Sequence, residues 1–162
     1  MGLGAADALA AAGLVAPAGL VAAVERFRGS PGVSQARYLA ALVEPRTESF
    51  GESWVRLRVM DAGFPRPQVQ VEVGPAVPGG SSRRLDLGWP EQLAGLEYDG
   101  EEYHSSPAQL AHDEERRRDL EDRFGWRILA VGRGEVLGPS MALEAAVGEL
   151  LGREPRLLRR RW

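Results

Sequence analysis

Gln68-Val69-Gln70-Val71-Glu72-Val73 alternates polar and apolar residues without a break, and no other stretch constrains the chain as tightly. Residues two apart in a strand share a side, so this period suits a half-buried strand and not a helix face. Its polar side would carry Gln68, Gln70 and Glu72. Residues 74–82 are rich in Gly, Pro and Ser, and Arg83-Arg84-Leu85-Asp86-Leu87-Gly88 follows, so the two stretches predict a hairpin. After a turn at Trp89-Pro90-Glu91, Leu93 to Tyr98 predicts a third strand and completes a meander.

The period then changes. Pro107 to Phe124 has the spacing of a polar, Arg-rich helix whose thin apolar set is Leu110, Leu120 and Phe124, with Gly125 as its stop. Trp126 to Val131 predicts a buried strand, and Pro139 to Leu151 an amphipathic helix. Before the meander, Thr47 or Ser49 is a plausible N-cap for a helix running through Phe50, Trp54, Leu57 and Met60, with Glu48 and Glu52 in its first turns. Glu52 and Arg56 stand four apart on it, the spacing of a surface ion pair; the functional alternative points Glu52 toward the strands. Residues 5–14, 18–28 and 32–43 predict three shorter helices, whose Arg26, Arg28 and Arg37 suit solvated faces better than a phosphate patch. The expected organisation is an N-terminal helical segment at 1–46, an α/β domain at 47–152 and an arginine-rich tail at 153–162.

Apolar content of 44% and charged content of 27% suit a soluble globular protein. The formal charge of -3 gives no overall basic signature, so any contact with nucleic acid must rest on local patches. The absence of cysteine excludes disulfides, thiolate metal sites and thiol nucleophiles. All 20 basic residues are arginine, so no lysine is available for catalysis. Neither a membrane span nor a basic leader is evident, and a cytoplasmic location is the expectation.

The chemistry-bearing residues gather at the ends of the predicted strands. Glu97 and Asp99, two apart, would project together about 6 to 7 Å apart, with Asp86 alongside on the neighbouring strand. Three carboxylates at that range repel one another unless a cation sits between them, and Mg²⁺ takes oxygen ligands of this kind. An ion so held suits phosphodiester hydrolysis. His104, just past the strand, has the pKa range needed to move a proton to or from water. The bland alternatives are a solvent-facing Asp, an Asp99-Gly100 turn and a surface histidine.

At these residues the chain resembles a known family. The ordered set is Thr47-Glu48-Ser49-Phe50-Gly51-Glu52-Ser53, Gly63-Phe64-Pro65-Arg66-Pro67-Gln68-Val69-Gln70, Leu85-Asp86-Leu87-Gly88-Trp89-Pro90, Leu96-Glu97-Tyr98-Asp99-Gly100, Tyr103-His104, Asp113 with Arg116, and Gly125-Trp126-Arg127-Ile128-Leu129. It is similar to bacterial endonuclease-like domains related to very-short-patch mismatch repair endonucleases, within the restriction-endonuclease-like PD-(D/E)xK superfamily. The similarity runs from residue 47 to about 137.

The resemblance implies a core of helix, three-stranded meander, helix, strand and helix, preceded by short helices. It makes Asp86 the central metal-binding aspartate and puts Glu97 and Asp99 at the E-x-K place, where Asp99 stands instead of lysine. It makes Glu52 the helix glutamate that reaches the site, Gln70 a supporting polar residue, and His104 the histidine that serves the reaction. The cysteine-containing zinc site of the mismatch-repair enzymes has no counterpart, so mismatch specificity is not carried over. Residues 1–46 are too few for the N-terminal winged-helix domain common in such proteins, so a truncated or minimal form is expected.

The expectation is therefore a Mg²⁺-dependent DNA endonuclease, with Mn²⁺ as a substitute ion. Metal would be held by Asp86, Glu97 and Asp99, and phosphates contacted by Arg56, Arg116, Arg117, Arg159 and Arg160. Against the helix arginines stands simple pairing of Arg116, Arg117 and Arg118 with Asp113, Glu114, Glu115 and Asp119. The alternatives are a nuclease fold without turnover that acts as a DNA-binding, antitoxin or regulatory module with a protein partner or a second copy, and a metal enzyme acting on RNA or on branched or damaged DNA.

Overall fold

The structure, a computed structural model, describes residues 2–74, 83–100 and 107–156, apart from the side chains of 107–110 and 112. These residues form seven α-helices and one four-stranded mixed sheet. They divide into two compact units, 1–57 and 58–162.

The first unit holds α1 (Gly2–Ala11), α2 (Pro17–Val24), a 3₁₀ turn at Glu25–Phe27, α3 (Val33–Leu42) and most of α4 (Phe50–Asp61). Both α1 and α2 pack on α3. Asp7 of α1 is buried and organises a polar centre. Its carboxylate accepts the Ser53 hydroxyl at 2.7 Å, the Glu44 backbone N–H at 2.8 Å and the Arg56 guanidinium at 2.8 Å. That network groups the start of α4 with the preceding helices. The α4 N-terminus is capped as expected, since Ser49 Oγ accepts the Glu52 N–H at 3.1 Å. Arg28 and Arg37 pair with Glu25, which keeps them in ordinary surface ion pairs.

The second unit is built on the sheet, in the order β1 (Gln68–Glu72), β2 (Arg84–Trp89), β3 (Ala94–Asp99), β4 (Arg127–Gly132). The first three strands are an antiparallel meander; β4 lies parallel to β3 and is reached through α5 (Pro107–Phe124). Gly125, with φ +71°, makes the left-handed turn that ends α5. α6 (Arg133–Leu137) and α7 (Ala142–Leu151) follow. α6 is short and lies between glycines, so its apolar period is too brief to read from sequence; Glu135 caps it by accepting the Gly132 N–H. β4 is outermost among the described strands. Ile128, Leu129 and Ala130 are therefore half-buried, where the sequence predicted a buried strand.

Val71, Val73 and Leu85 form one core cluster with Leu120 of α5 and Trp126, and Phe124 and Ile128 pack against it. The side chain of Leu110, predicted to share that apolar face, lies outside the described residues. The alternation that predicted β1 does not mark a single buried face. Leu85 packs over Gly95, where an added Cβ would meet its Cδ1 at 2.6 Å, whereas Leu87 lies opposite Leu96. Gly95 and Leu96 point to opposite faces, so Leu85 and Leu87 do too, and the pleat breaks at Asp86. Directly opposite in register, Gln70 adopts φ +55°, which side-chain-bearing residues seldom take.

The end of α4 is fastened by Arg58, which is fully buried. Its Nε and Nη2 donate to the Glu144 carboxylate, its Nη1 to the Glu135 and Val136 carbonyls, and its Nη2 also to the Ser140 carbonyl. All five guanidinium N–H donors thus have acceptors. Among the described residues, no helix is long and apolar enough to cross a membrane.

Candidate active site

The β2–β3 ladder is regular from Trp89↔Ala94 to Leu87↔Leu96 and then stops. At the next position Asp86 turns its side chain into the gap, and Oδ2 accepts the Tyr98 backbone N–H at 2.8 Å. The break in the pleat therefore has a local purpose: it aims an acid at the neighbouring strand. Gln70, half-buried, stands on the other side of Asp86 in register.

Glu97 is 5% exposed. Its carboxylate is pushed above the ordinary value of 4.5, mainly by burial and further by the Asp86 charge, against the opposing pull of Arg116 and Arg117. Asp86 lies on the adjoining strand, one register position past the Leu87↔Leu96 pair, with its carboxylate on the N–H of the residue after Glu97.

Both arginines come from α5. They precede the buried Leu120 by four and three residues, so packing that leucine on the sheet directs them to the same side of the helix. Arg116 Nη2 lies 2.6 Å from Glu97 Oε1, and Nη1 reaches the Arg84 carbonyl at 3.4 Å. Arg117 Nη1 lies 3.1 Å from Asp99 Oδ2 and 3.9 Å from Glu97 Oε2. Among the described residues these two do not pair within their own helix; Arg118 does so with Glu114, and Arg123 with Asp119.

Asp99 departs from the expected grouping. Its side chain is 59% exposed and turned to Arg117, and among the described residues no three His, Cys, Asp or Glu side chains converge as an ion site. Asp86 and Glu97 are the pair brought together. Glu52 lies in the first unit, buried, with Oε2 accepting the Glu48 N–H at 3.1 Å. Arg56 is corrected: at 1% exposure, tied to Asp7 and the Leu42 carbonyl, it has no surface to offer a phosphate. His104, Arg159 and Arg160 lie outside the described residues. Sequence reasoning missed the Tyr98 N–H as a partner of Asp86, and no residue-type signal marks a backbone donor. It also missed Arg58 with Glu144, for which a charged residue between Leu57 and Val59 was the available sign.

No family model matches the chain, and no solved structure matches it significantly. Two uncharacterized proteins from two strains of Mycobacterium tuberculosis are each 33% identical to it over 131 residues, 81% of this chain and 47% of each relative. The chain spans about half the length of these relatives.

Proposed function

We propose that the second unit is a restriction-endonuclease-like core of the PD-(D/E)xK kind and that the protein is a metal-dependent endonuclease hydrolysing DNA phosphodiester bonds. The observation that carries this reading is the convergence of Asp86 and Glu97 where the β2–β3 ladder ends, with the α5 arginines alongside. A helix, a three-stranded meander, a helix and a further strand is the order that the resemblance implies, and it agrees with the element order here.

The donor chemistry fits a hard divalent ion. Asp86 and Glu97 offer carboxylate oxygens from adjoining strands, and Mg²⁺ needs only one or two carboxylates when water and substrate phosphate complete its shell. Such an ion would neutralise the scissile phosphate and acidify a water. The remaining work belongs to the chain. Tyr98 N–H fixes the Asp86 carboxylate, Arg116 and Arg117 draw the phosphate backbone toward the strand ends, and Gln70 lies beside Asp86 to orient a polar group. Asp99 replaces the lysine that would orient the attacking water, and His104 is the candidate for moving its proton.

A second reading, a DNA-binding or regulatory module without turnover, is favoured by Asp99 at the lysine place and by the guanidinium that holds Glu97. Nicking of supercoiled plasmid by purified protein with Mg²⁺ or Mn²⁺, with Asp86→Ala as control, separates the two.

A further inference from the structure

We propose that Arg116 is the exchangeable counter-ion of the Asp86–Glu97 pair: it holds Glu97 in place until a divalent cation takes that carboxylate, and its guanidinium is then released toward the substrate phosphate. This rests on the metal-dependent reading above and adds to it a residue that competes for the same carboxylate.

Glu97 is buried and Asp86, on the adjoining strand, half-buried, and two such carboxylates cannot both carry charge without a nearby cation. Arg116 Nη2, 2.6 Å from Glu97 Oε1, provides one. The way it is held differs from that of Arg58, the buried arginine of the unit. Arg58 donates all five N–H groups and is fully enclosed, so it is locked. Among the described residues Arg116 makes one short contact, its second reaches the Arg84 carbonyl at 3.4 Å, and its side chain is 21% exposed. The guanidinium can leave Glu97 by rotating its own side chain, because α5 is anchored by Leu120 one turn on.

Arg117 is the internal comparison. It carries the same charge on the same helix, yet it contacts Asp99 at 3.1 Å and stays 3.9 Å from Glu97. A general field effect on metal affinity would make the two arginines equivalent. Direct competition for the Glu97 oxygen makes them different. Arg116 is thus a positioning residue: it sets the geometry and availability of Glu97 without itself holding metal.

The test is calorimetric titration of the full chain with Mn²⁺ alone, at one pH and ionic strength, for the wild type and for Arg116→Gln, Arg116→Lys, Arg117→Gln and Asp86→Ala. Thermal unfolding establishes that each variant is folded. Arg116→Gln is expected to bind Mn²⁺ about tenfold or more tightly than the wild type, the size of one charge-assisted hydrogen bond that no longer competes. Arg116→Lys should fall between them and serves if the glutamine variant does not fold; Arg117→Gln should gain no more than about threefold. Equal gains at Arg116 and Arg117, or no gain at Arg116, overturn the exchange while leaving the metal site standing. Equal Mn²⁺ binding by the wild type and Asp86→Ala overturns the metal reading and the exchange with it.

Discussion

Asp86 Oδ2 accepts the Tyr98 backbone N–H at 2.8 Å and so takes the place of the ladder bond that would follow the Leu87↔Leu96 pair. One side chain thereby serves both the fold and the proposed site, and two substitutions separate these roles. Asp86→Ala leaves the Tyr98 N–H without its acceptor and should cost about 1–3 kcal/mol in urea unfolding. Asp86→Asn keeps an oxygen for that N–H and should cost less than about 1 kcal/mol. Both should lose plasmid cleavage, since neither presents a carboxylate; full activity in Asp86→Asn would contradict the assignment.

Gln70 holds φ +55° directly across from Asp86. A left-handed backbone costs a side-chain-bearing residue about 1–2 kcal/mol, and that strain is tolerated where the site needs the geometry. Gln70→Gly should therefore be as stable as the wild type, or more stable by up to about 1 kcal/mol, while its cleavage rate falls by up to about tenfold through loss of one polar contact. A large loss of stability would show that the side chain serves the fold.

The Arg58–Glu144 pair is fully buried, and removing one partner strands the other. Glu144→Ala and Arg58→Ala should each cost about 3–5 kcal/mol. Urea midpoints of the two single variants and the double variant provide the check, with the double variant costing clearly less than the sum of the singles.

How the sequence declares itself differs along the chain. The three strands of the meander were legible because Val69, Val71 and Leu85 to Trp89 lie between clusters of Gly and Pro that only turns accommodate. The break at Gln70 and Asp86 was not, since it reverses faces without changing residue spacing. The parallel partnership of β3 and β4 is non-local, and with it the edge position that leaves Leu129 half-buried. Arginine burial was hidden for a related reason. Arg56 and Arg58 look like surface residues by type, and only Asp7 and Glu144, each distant in sequence, explain why they are inside. Arg116 and Arg117 were flagged in sequence, but their partners on β3 depend on the packing of Leu120.

Glu97 also gives a dependence on pH. In the unfolded chain it titrates near 4.5, and in the folded protein higher, chiefly because it is buried. Between those values the folded state binds the proton more tightly, so the Glu97 contribution to stability is present below 4.5 and is lost as pH rises through the folded value. Glu97→Gln removes that dependence. Its stability relative to the wild type should increase from pH 4 toward pH 7, as thermal unfolding across that range will read; a constant difference would mean that Glu97 is not desolvated.

Cleavage of supercoiled plasmid by the purified full chain, with and without Mg²⁺ or Mn²⁺, bears most directly on the Asp86–Glu97 site. The expected result is nicked and then linear DNA only when the ion is present, abolished by chelation and reduced at least about a hundredfold in Asp86→Asn and Glu97→Gln, which retain the fold. Cleavage that persists undiminished in both variants, or is absent from the wild type with either ion, would contradict it.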